Sequence, residues 1–155
     1  DPESFEILKY EYSKDKCYVY RHWDKIEWAD PESFEILEEG YSKDKNKVYH
    51  YWDKIEWSDG LTFEILNDRY YFKDKNFVYW RWVKIEWADP DSFEVIDKNY
   101  SKDKCYVYCY WDKIEWLDWL TFEILNYRYS KDKNYVYDHG NKIEWADPKS
   151  FNFRW

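Results

Sequence analysis

Residues 41–57 read YSKDKNKVYHYWDKIEW, and this stretch decides the fold. Asp44-Lys45-Asn46 supplies turn residues, and β-rich segments rich in tyrosine and valine stand on either side of it. A second turn at Trp52-Asp53 is followed by Lys54-Ile55-Glu56-Trp57, which alternates polar and apolar residues with the period of a strand. The stretch therefore predicts three short strands joined by tight turns.

The residues before this stretch add a fourth strand. Asp30-Pro31-Glu32-Ser33 has a capping aspartate, a proline at the first helical position and an acid in the first turn, so it predicts the start of a helix. Only one helical turn fits, because Phe34-Glu35-Ile36-Leu37 is already strand-like. A loop at Glu38–Gly40 leads into the quoted stretch. Each unit is thus predicted to contain four strands.

This unit recurs five times with a period of 29 residues, and one extra residue lies near Arg69–Tyr71. A meander with an even number of strands returns the chain to its starting end, so the copies can stack without long crossovers. We predict an all-β, single repeat domain over residues 1–155, closed into a propeller-like ring, with an open β-solenoid or a barrel as the alternative. The copies are residues 1–29, 30–58, 59–88, 89–117 and 118–146, and a partial sixth copy or cap follows at residues 147–155.

Composition excludes several classes of function. The net charge of −9 argues against nucleic-acid binding, and no apolar run approaches the roughly 18 residues of a membrane span. The three cysteines show no CxxC spacing and the three histidines are scattered, so we predict no metal site and no cofactor. Neither a nucleophile elbow nor a glycine-rich phosphate loop is present, so we predict no catalytic residues and no enzyme activity.

Two strings, SKDKNKVYHYWDKIEWSD at residues 42–59 and SKDKNYVYDHGNKIEWADPKSF at residues 130–151, resemble the bacterial DKNYY repeat family. The resemblance covers all five copies and implies no particular activity. Where the family tends to have glycine after Lys-Ile-Glu, and again at the hairpin turn, this chain has tryptophan at nine of ten positions and Gly140 at the tenth. These tryptophans are Trp28, Trp57, Trp87, Trp116 and Trp145 after Lys-Ile-Glu, and Trp23, Trp52, Trp82 and Trp111 at the turn.

Near-identical copies, the absence of methionine and the replacement of glycine by tryptophan resemble a computationally designed, pseudo-symmetric protein. We therefore expect a synthetic chain without a natural location, soluble when expressed in the cytoplasm and monomeric. For the tryptophans after Lys-Ile-Glu, burial between the repeats is favoured over lining a pocket.

One position differs in every copy, and it reads Arg21, His50, Trp80, Cys109 and Asp138. The folding of a symmetric ring does not require this variation. An asymmetric ligand on the axis of the ring does require it, because each copy then faces a different chemical group of the ligand. We therefore predict a central aromatic pocket for an amphipathic small molecule, either a bile acid or steroid or a polycyclic aromatic acid, with an arginine on its carboxylate. The predicted ligand-binding residues are Arg21, His22, Trp23, His50, Trp52, Trp80, Arg81, Trp82, Cys109, Tyr110, Trp111, Asp138 and His139.

Two other functions stay open from the sequence. A ligand-free designed scaffold would show the same copies, with the variation left over from design. A lectin-like protein would carry one sugar site per repeat, because aromatic faces stack on sugars. The number of binding sites per chain distinguishes these functions.

Overall fold

The computed structural model describes residues 1–66 and 70–151. These residues form five four-stranded antiparallel sheets, one per repeat, and neighbouring strands in each sheet follow one another in sequence. The predicted all-β fold of four strands per repeat is confirmed. Within the described residues no sheet closes on itself, so the closed ring stays a prediction.

The strands are two or three residues long. Repeat 1 contains β1 (Glu6–Ile7), β2 (Tyr12–Lys14), β3 (Val19–Arg21) and β4 (Asp24–Lys25), and repeat 2 contains β5 (Glu35–Ile36), β6 (Tyr41–Lys43), β7 (Val48–His50) and β8 (Asp53–Lys54). Repeat 3 contains β9 (Glu64–Ile65), β10 (Tyr71–Lys73), β11 (Val78–Trp80) and β12 (Val83–Lys84). Repeat 4 contains β13 (Glu94–Val95), β14 (Tyr100–Lys102), β15 (Val107–Cys109) and β16 (Asp112–Lys113), and repeat 5 contains β17 (Glu123–Ile124), β18 (Tyr129–Lys131), β19 (Val136–Asp138) and β20 (Asn141–Lys142).

The aspartate of the Lys-Asp-Lys turn holds each repeat together. In repeat 2 the Asp44 carboxylate accepts hydrogen bonds from the backbone N–H groups of Asn46 at 2.7 Å and Lys47 at 2.8 Å. It also accepts the backbone N–H of Asp30 at 2.8 Å and the hydroxyl of Tyr49 at 2.9 Å. Asp44 is 1 % exposed. One buried carboxylate therefore closes the turn between β6 and β7 and anchors the start of the repeat.

The start of each repeat is a short turn, as the capping aspartate and proline predict. It forms a 3₁₀ helix at Pro2–Ser4 and at Trp119–Thr121. In repeat 2 the Ser33 hydroxyl donates to Asp30 and accepts the backbone N–H of Lys45 at 3.1 Å. The Lys45 ammonium lies 3.0 Å from the Asp30 carboxylate. Hydrogen bonds from Ser33 and Lys45 lower the pKa of Asp30 below its ordinary value.

Acid is expected to destabilise the fold through these aspartates. A carboxyl group whose pKa is lower in the folded state adds stability above its unfolded pKa of about 4, and this stability is lost as the pH falls through the folded pKa. The pKa values of Asp59, Asp89 and Asp118 are lowered in the same way, mainly by lysine. We expect calorimetry to show a constant unfolding temperature between about pH 7 and 5 and a falling one below about pH 4. The unfolding temperature of the Asp30→Asn variant should fall less on acidification than that of the wild type. An equal unfolding temperature of the wild type at low and neutral pH would contradict the account.

The hydrophobic cores lie between consecutive repeats. Tyr12, Val19 and Ile26 of repeat 1 pack in one cluster with Tyr49 and Phe34 of repeat 2. Clusters of the same kind join repeats 3 and 4 and repeats 4 and 5. Each repeat therefore buries its apolar surface against its neighbour in sequence, as in other repeat proteins.

The chain divides into two compact units. One unit contains Asp1–Ile65 and Phe72–Phe77, and the other contains Leu66–Tyr71 and Val78–Trp155. The extra residue predicted near Arg69–Tyr71 falls partly outside the described residues, and so do residues 152–155 of the partial sixth copy.

Candidate functional site

The tryptophans after Lys-Ile-Glu lie on the surface. Trp28, Trp57, Trp87, Trp116 and Trp145 are between 71 % and 84 % exposed, so their predicted burial between repeats is wrong. The fourth strand ends at the lysine, as β8 ends at Lys54, and the isoleucine that follows is the buried residue.

Four of these tryptophans also have an unusual backbone conformation. Trp28, Trp57, Trp87 and Trp116 have φ between 63° and 69°, in the left-handed region. This conformation costs a residue other than glycine about 1–2 kcal/mol, and glycine adopts it freely. Exposure and backbone geometry both disfavour tryptophan at this site. Neither packing nor local conformation therefore explains why tryptophan stands at these positions.

Four more tryptophans stand at the hairpin tips between the third and fourth strands. Trp23, Trp52, Trp82 and Trp111 are between 41 % and 95 % exposed. In repeats 1 and 2 a groove of about 550 Å³ contains Trp28 of one repeat and Trp52 of the next. Its other lining residues are Asp24, Lys25, Glu27, Asp53, Lys54 and Glu56. Two indole rings and a polar rim therefore share one open groove.

The same pairing recurs in the second compact unit. A groove of about 400 Å³ contains Trp87 of repeat 3 and Trp111 of repeat 4, with His139 of repeat 5 beside them. Lys84, Glu86, Asp112, Lys113, Glu115, Gly140 and Asn141 complete its lining. The groove is thus built from equivalent positions of consecutive repeats.

The charged groups of the grooves are held in place by their own repeat. Lys54 and Glu56 form an ion pair at 3.1 Å, and Lys113 and Glu115 form one at 2.9 Å. The Lys25 ammonium lies 3.9 Å from the centre of the Tyr18 ring. These residues were not predicted as site residues from the sequence, because they recur unchanged and are typical of a solvated strand face. The tryptophan beside every Lys-Ile-Glu was the signal that could have identified them.

In the first compact unit the variable position lies against the next hairpin tip. The Arg21 guanidinium carbon is 4.5 Å from the centre of the Tyr51 ring and 5.5 Å from that of Trp52. Arg21 also donates to Glu11 at 3.4 Å. The His50 ring is 4.4 Å from Tyr51, and burial lowers the pKa of His50. The structure thus brings three predicted residues together around Tyr51.

Glu11 also contacts His22, a predicted residue of the first hairpin tip. Its carboxylate lies 3.2 Å from His22 Nε2. The neighbouring Trp23 is 95 % exposed. Arg21, at the end of β3, and His22, at the first hairpin tip, therefore both contact Glu11, whereas Trp23 faces solvent.

In the second compact unit aromatic residues of repeats 3–5 form a row. The Trp80 ring lies 5.3 Å from Tyr110 and 5.0 Å from Trp111, and Tyr110 lies 6.3 Å from His139. The Arg81 guanidinium carbon stands 4.7 Å from the Trp80 ring centre. Four of these five residues belong to three successive hairpin tips, and the fifth, Trp80, ends the strand before its tip.

Three further predicted residues of the second unit, Asp138, Cys109 and Trp82, lie in different surroundings. Asp138 accepts two hydrogen bonds from Arg128, at 2.8 and 2.7 Å, and this arginine holds the pKa of Asp138 below its usual value. Cys109 is 3 % exposed, and burial raises the pKa of its thiol to about 12. Trp82 is exposed at its hairpin tip. Part of the predicted set thus gathers within each compact unit, and a central pocket shared by all of the predicted residues stays a prediction.

Two further features concern residues 1–66 and 70–151. No cluster of three or more histidine, cysteine, aspartate or glutamate side chains there is arranged to hold a metal ion. Within the same residues, no helix has the length and hydropathy needed to cross a bilayer.

Comparison with known proteins identifies the repeat. No curated protein and no solved structure matches the chain. The sequence model of the DKNYY family matches residues 10–141, which contain the Lys-Asp-Lys turn of every repeat. The chain therefore belongs to the DKNYY family.

Proposed function

We propose that this protein is a non-catalytic, multivalent binding protein whose grooves between neighbouring hairpin tips each hold part of a saccharide. One observation carries the proposal: Trp28, Trp57, Trp87 and Trp116 keep exposed rings on a left-handed backbone. A strained backbone conformation of this kind is typically kept where the position of the side chain is needed for function. We also propose that the repeats form an open array, which places equivalent grooves in series.

The groove chemistry suits sugars better than wholly apolar ligands. An indole face packs on the C–H face of a pyranose ring. The charged residues at the rim of the groove include both hydrogen-bond donors and hydrogen-bond acceptors for the hydroxyl groups of a sugar. In the first groove these partners are the Lys25 and Lys54 ammonium groups, which donate, and the Glu27 and Glu56 carboxylates, which accept. Volumes of about 400 and 550 Å³ lie within the range of small-ligand sites.

A panel of oligosaccharides tests this proposal. Cello-, xylo-, manno- and chito-oligosaccharides would be titrated while tryptophan fluorescence is recorded, because a sugar over an exposed indole changes its emission. We expect one class to give a saturable change, with longer oligomers binding more tightly since they reach several grooves. Absence of a saturable change with every class would contradict the proposal and favour a scaffold without a ligand.

A second candidate function is the binding of one amphipathic acid, and Arg81 favours it. Arg21 bonds Glu11 and Arg128 bonds Asp138. In contrast, no carboxylate of the described chain lies within ion-pair distance of Arg81, which is exposed and stacks on Trp80. A ligand carboxylate at Arg81 with its apolar body on the aromatic row would complete this arrangement.

The Arg81→Gln variant separates the two candidates. If an amphipathic acid such as a bile acid binds at the aromatic row, we expect Arg81→Gln to weaken its affinity about tenfold, which corresponds to about 1.4 kcal/mol. The matched Arg21→Gln variant should have little effect, because Arg21 is already paired with Glu11. Equal affinity of the wild type and Arg81→Gln in calorimetry would remove Arg81 as the carboxylate partner.

A further inference from the structure

Every lysine that lines the two tryptophan grooves is paired with a glutamate of the same groove. In each pair the glutamate follows the lysine by two residues, and the ammonium nitrogen lies at most 3.5 Å from the carboxylate. The pairs are Lys25–Glu27 at 3.5 Å, Lys54–Glu56 at 3.1 Å, Lys84–Glu86 at 3.3 Å and Lys113–Glu115 at 2.9 Å. The protein thus balances the positive charges of the grooves with its own glutamates.

The aspartates of the same grooves are not balanced in this way. The tip aspartates, defined as Asp24, Asp53 and Asp112, each directly follow the tryptophan of a hairpin tip. They are exposed, and no lysine, arginine or histidine of the described part of the chain lies within ion-pair distance of their carboxylates. Asp24 and Asp53 line the first groove, and Asp112 lines the second. Each groove therefore carries net negative charge beside its two indole rings.

The hairpin itself does not require an aspartate at this position. Val83 occupies it in repeat 3 and Asn141 occupies it in repeat 5. Both residues pair across the hairpin in the register that Asp112 uses with Cys109. The two grooves that combine two tryptophans take their second hairpin tip from repeats 2 and 4, which carry aspartate. Aspartate and paired indoles thus occur together.

Indole rings beside a carboxylate also favour a cation over an anion. The face of an aromatic ring attracts positive charge, and tryptophan attracts it most strongly. The hairpin tips already hold cations in this way, since the guanidinium carbon of Arg81 lies 4.7 Å from the Trp80 ring centre and that of Arg21 lies 5.5 Å from the Trp52 ring centre. The net charge of −9 acts in the same direction over the whole chain.

We propose that the saccharide of these grooves is an amino sugar that carries a protonated amino group, as glucosamine does. This inference rests on the proposed function and names the class of sugar. The C–H face of the sugar packs on an indole ring, and the ammonium group donates charge-assisted hydrogen bonds to a tip aspartate. The paired lysines and glutamates of the groove remain available to the hydroxyl groups.

Three oligosaccharides of equal length test the proposal. A glucosamine oligomer, its N-acetylated form and a cello-oligomer share one sugar backbone and differ at carbon 2, which carries an ammonium, an acetamide or a hydroxyl group. They would be titrated against the wild type with tryptophan fluorescence at about pH 6, where a free amino group is protonated. We expect the glucosamine oligomer to bind at least about tenfold more tightly than either neutral oligomer.

The possible results separate this inference from the proposed function. If a neutral oligomer binds as tightly as the glucosamine oligomer, or more tightly, the amino-sugar inference is overturned and saccharide binding stands. If none of the three oligomers and no other saccharide gives a saturable change, both are overturned. Tighter binding of the glucosamine oligomer supports both.

A triple variant tests the tip aspartates directly. Asp24→Asn, Asp53→Asn and Asp112→Asn together remove the unpaired charges and keep the hairpins, because Asn141 already occupies this position in repeat 5. We expect the preference for the glucosamine oligomer over the cello-oligomer to fall from about tenfold to about twofold or less. The circular dichroism spectrum should stay that of the wild type.

A matched control removes the same number of charges from the same three repeats. Glu3→Gln, Glu32→Gln and Asp91→Asn change exposed residues in the turns that begin repeats 1, 2 and 4, outside the lining of both grooves. This variant should keep the tenfold preference. A preference that survives in the aspartate variant, or that falls equally in the control, would overturn the role of the tip aspartates.

Discussion

Replacing Asp44 with alanine is expected to lower the free energy of unfolding by about 3–5 kcal/mol. The reason is that four donors lose their acceptor at once: the backbone N–H groups of Asp30, Asn46 and Lys47 and the hydroxyl of Tyr49. The carboxylate is 1 % exposed, so water reaches these donors only if the turn opens. Urea unfolding followed by far-UV circular dichroism measures the loss.

Two matched variants make this result specific. Asp44→Asn keeps one accepting oxygen but places an amide N–H₂ on the other side, so an intermediate loss is expected. Lys45→Ala removes only an exposed ion pair with Asp30 and should cost less than about 1 kcal/mol. If Asp44→Ala lost no more stability than Lys45→Ala, the buried carboxylate would not be what closes the turn.

Replacing Trp28, Trp57, Trp87 and Trp116 together with glycine is expected to abolish saccharide binding and to preserve the fold. Each substitution removes an exposed ring and relieves a left-handed backbone, a gain of about 1–2 kcal/mol that the greater chain entropy of glycine offsets in part. Affinity should fall below detection in the fluorescence titration. The unfolding temperature should stay the same or rise.

A control tryptophan tests whether this loss belongs to the grooves. Trp119 is 61 % exposed but lies in a 3₁₀ helix at the start of repeat 5, outside the lining of either groove. Trp119→Ala should therefore bind as the wild type does. Wild-type affinity in the glycine variant would contradict the proposed function, and a much lower unfolding temperature would show that the tryptophans stabilise the fold.

The repeat unit could be predicted because local chemistry dictates it. The Asp44 turn, the proline-containing start at Pro31 and the β-rich run at Val48 each act over a few residues. The fourth strand was predicted too long, because the alternation of Lys54 to Trp57 continues past the residue at which pairing stops. Alternation of polarity alone does not reveal a positive φ.

The orientation of the tryptophans could have been inferred from the family pattern. A glycine that recurs after Lys-Ile-Glu indicates a left-handed residue, and a tryptophan in its place inherits that backbone. The partner of Asp138 could also have been found, because the register of β18 with β19 pairs Tyr129 with Asp138 and places Arg128 next to it. The distances between hairpin tips depend on how neighbouring repeats pack, and a local sequence pattern does not predict them.

The most direct test of the central claim is the number of ligands bound per chain. Isothermal titration calorimetry would use the shortest oligosaccharide that changes tryptophan fluorescence, so that one molecule cannot span two grooves. The account predicts two or more equivalent sites per chain, because Trp28 with Trp52 and Trp87 with Trp111 form separate grooves. A single site per chain, or wild-type stoichiometry in the four-glycine variant, would contradict it.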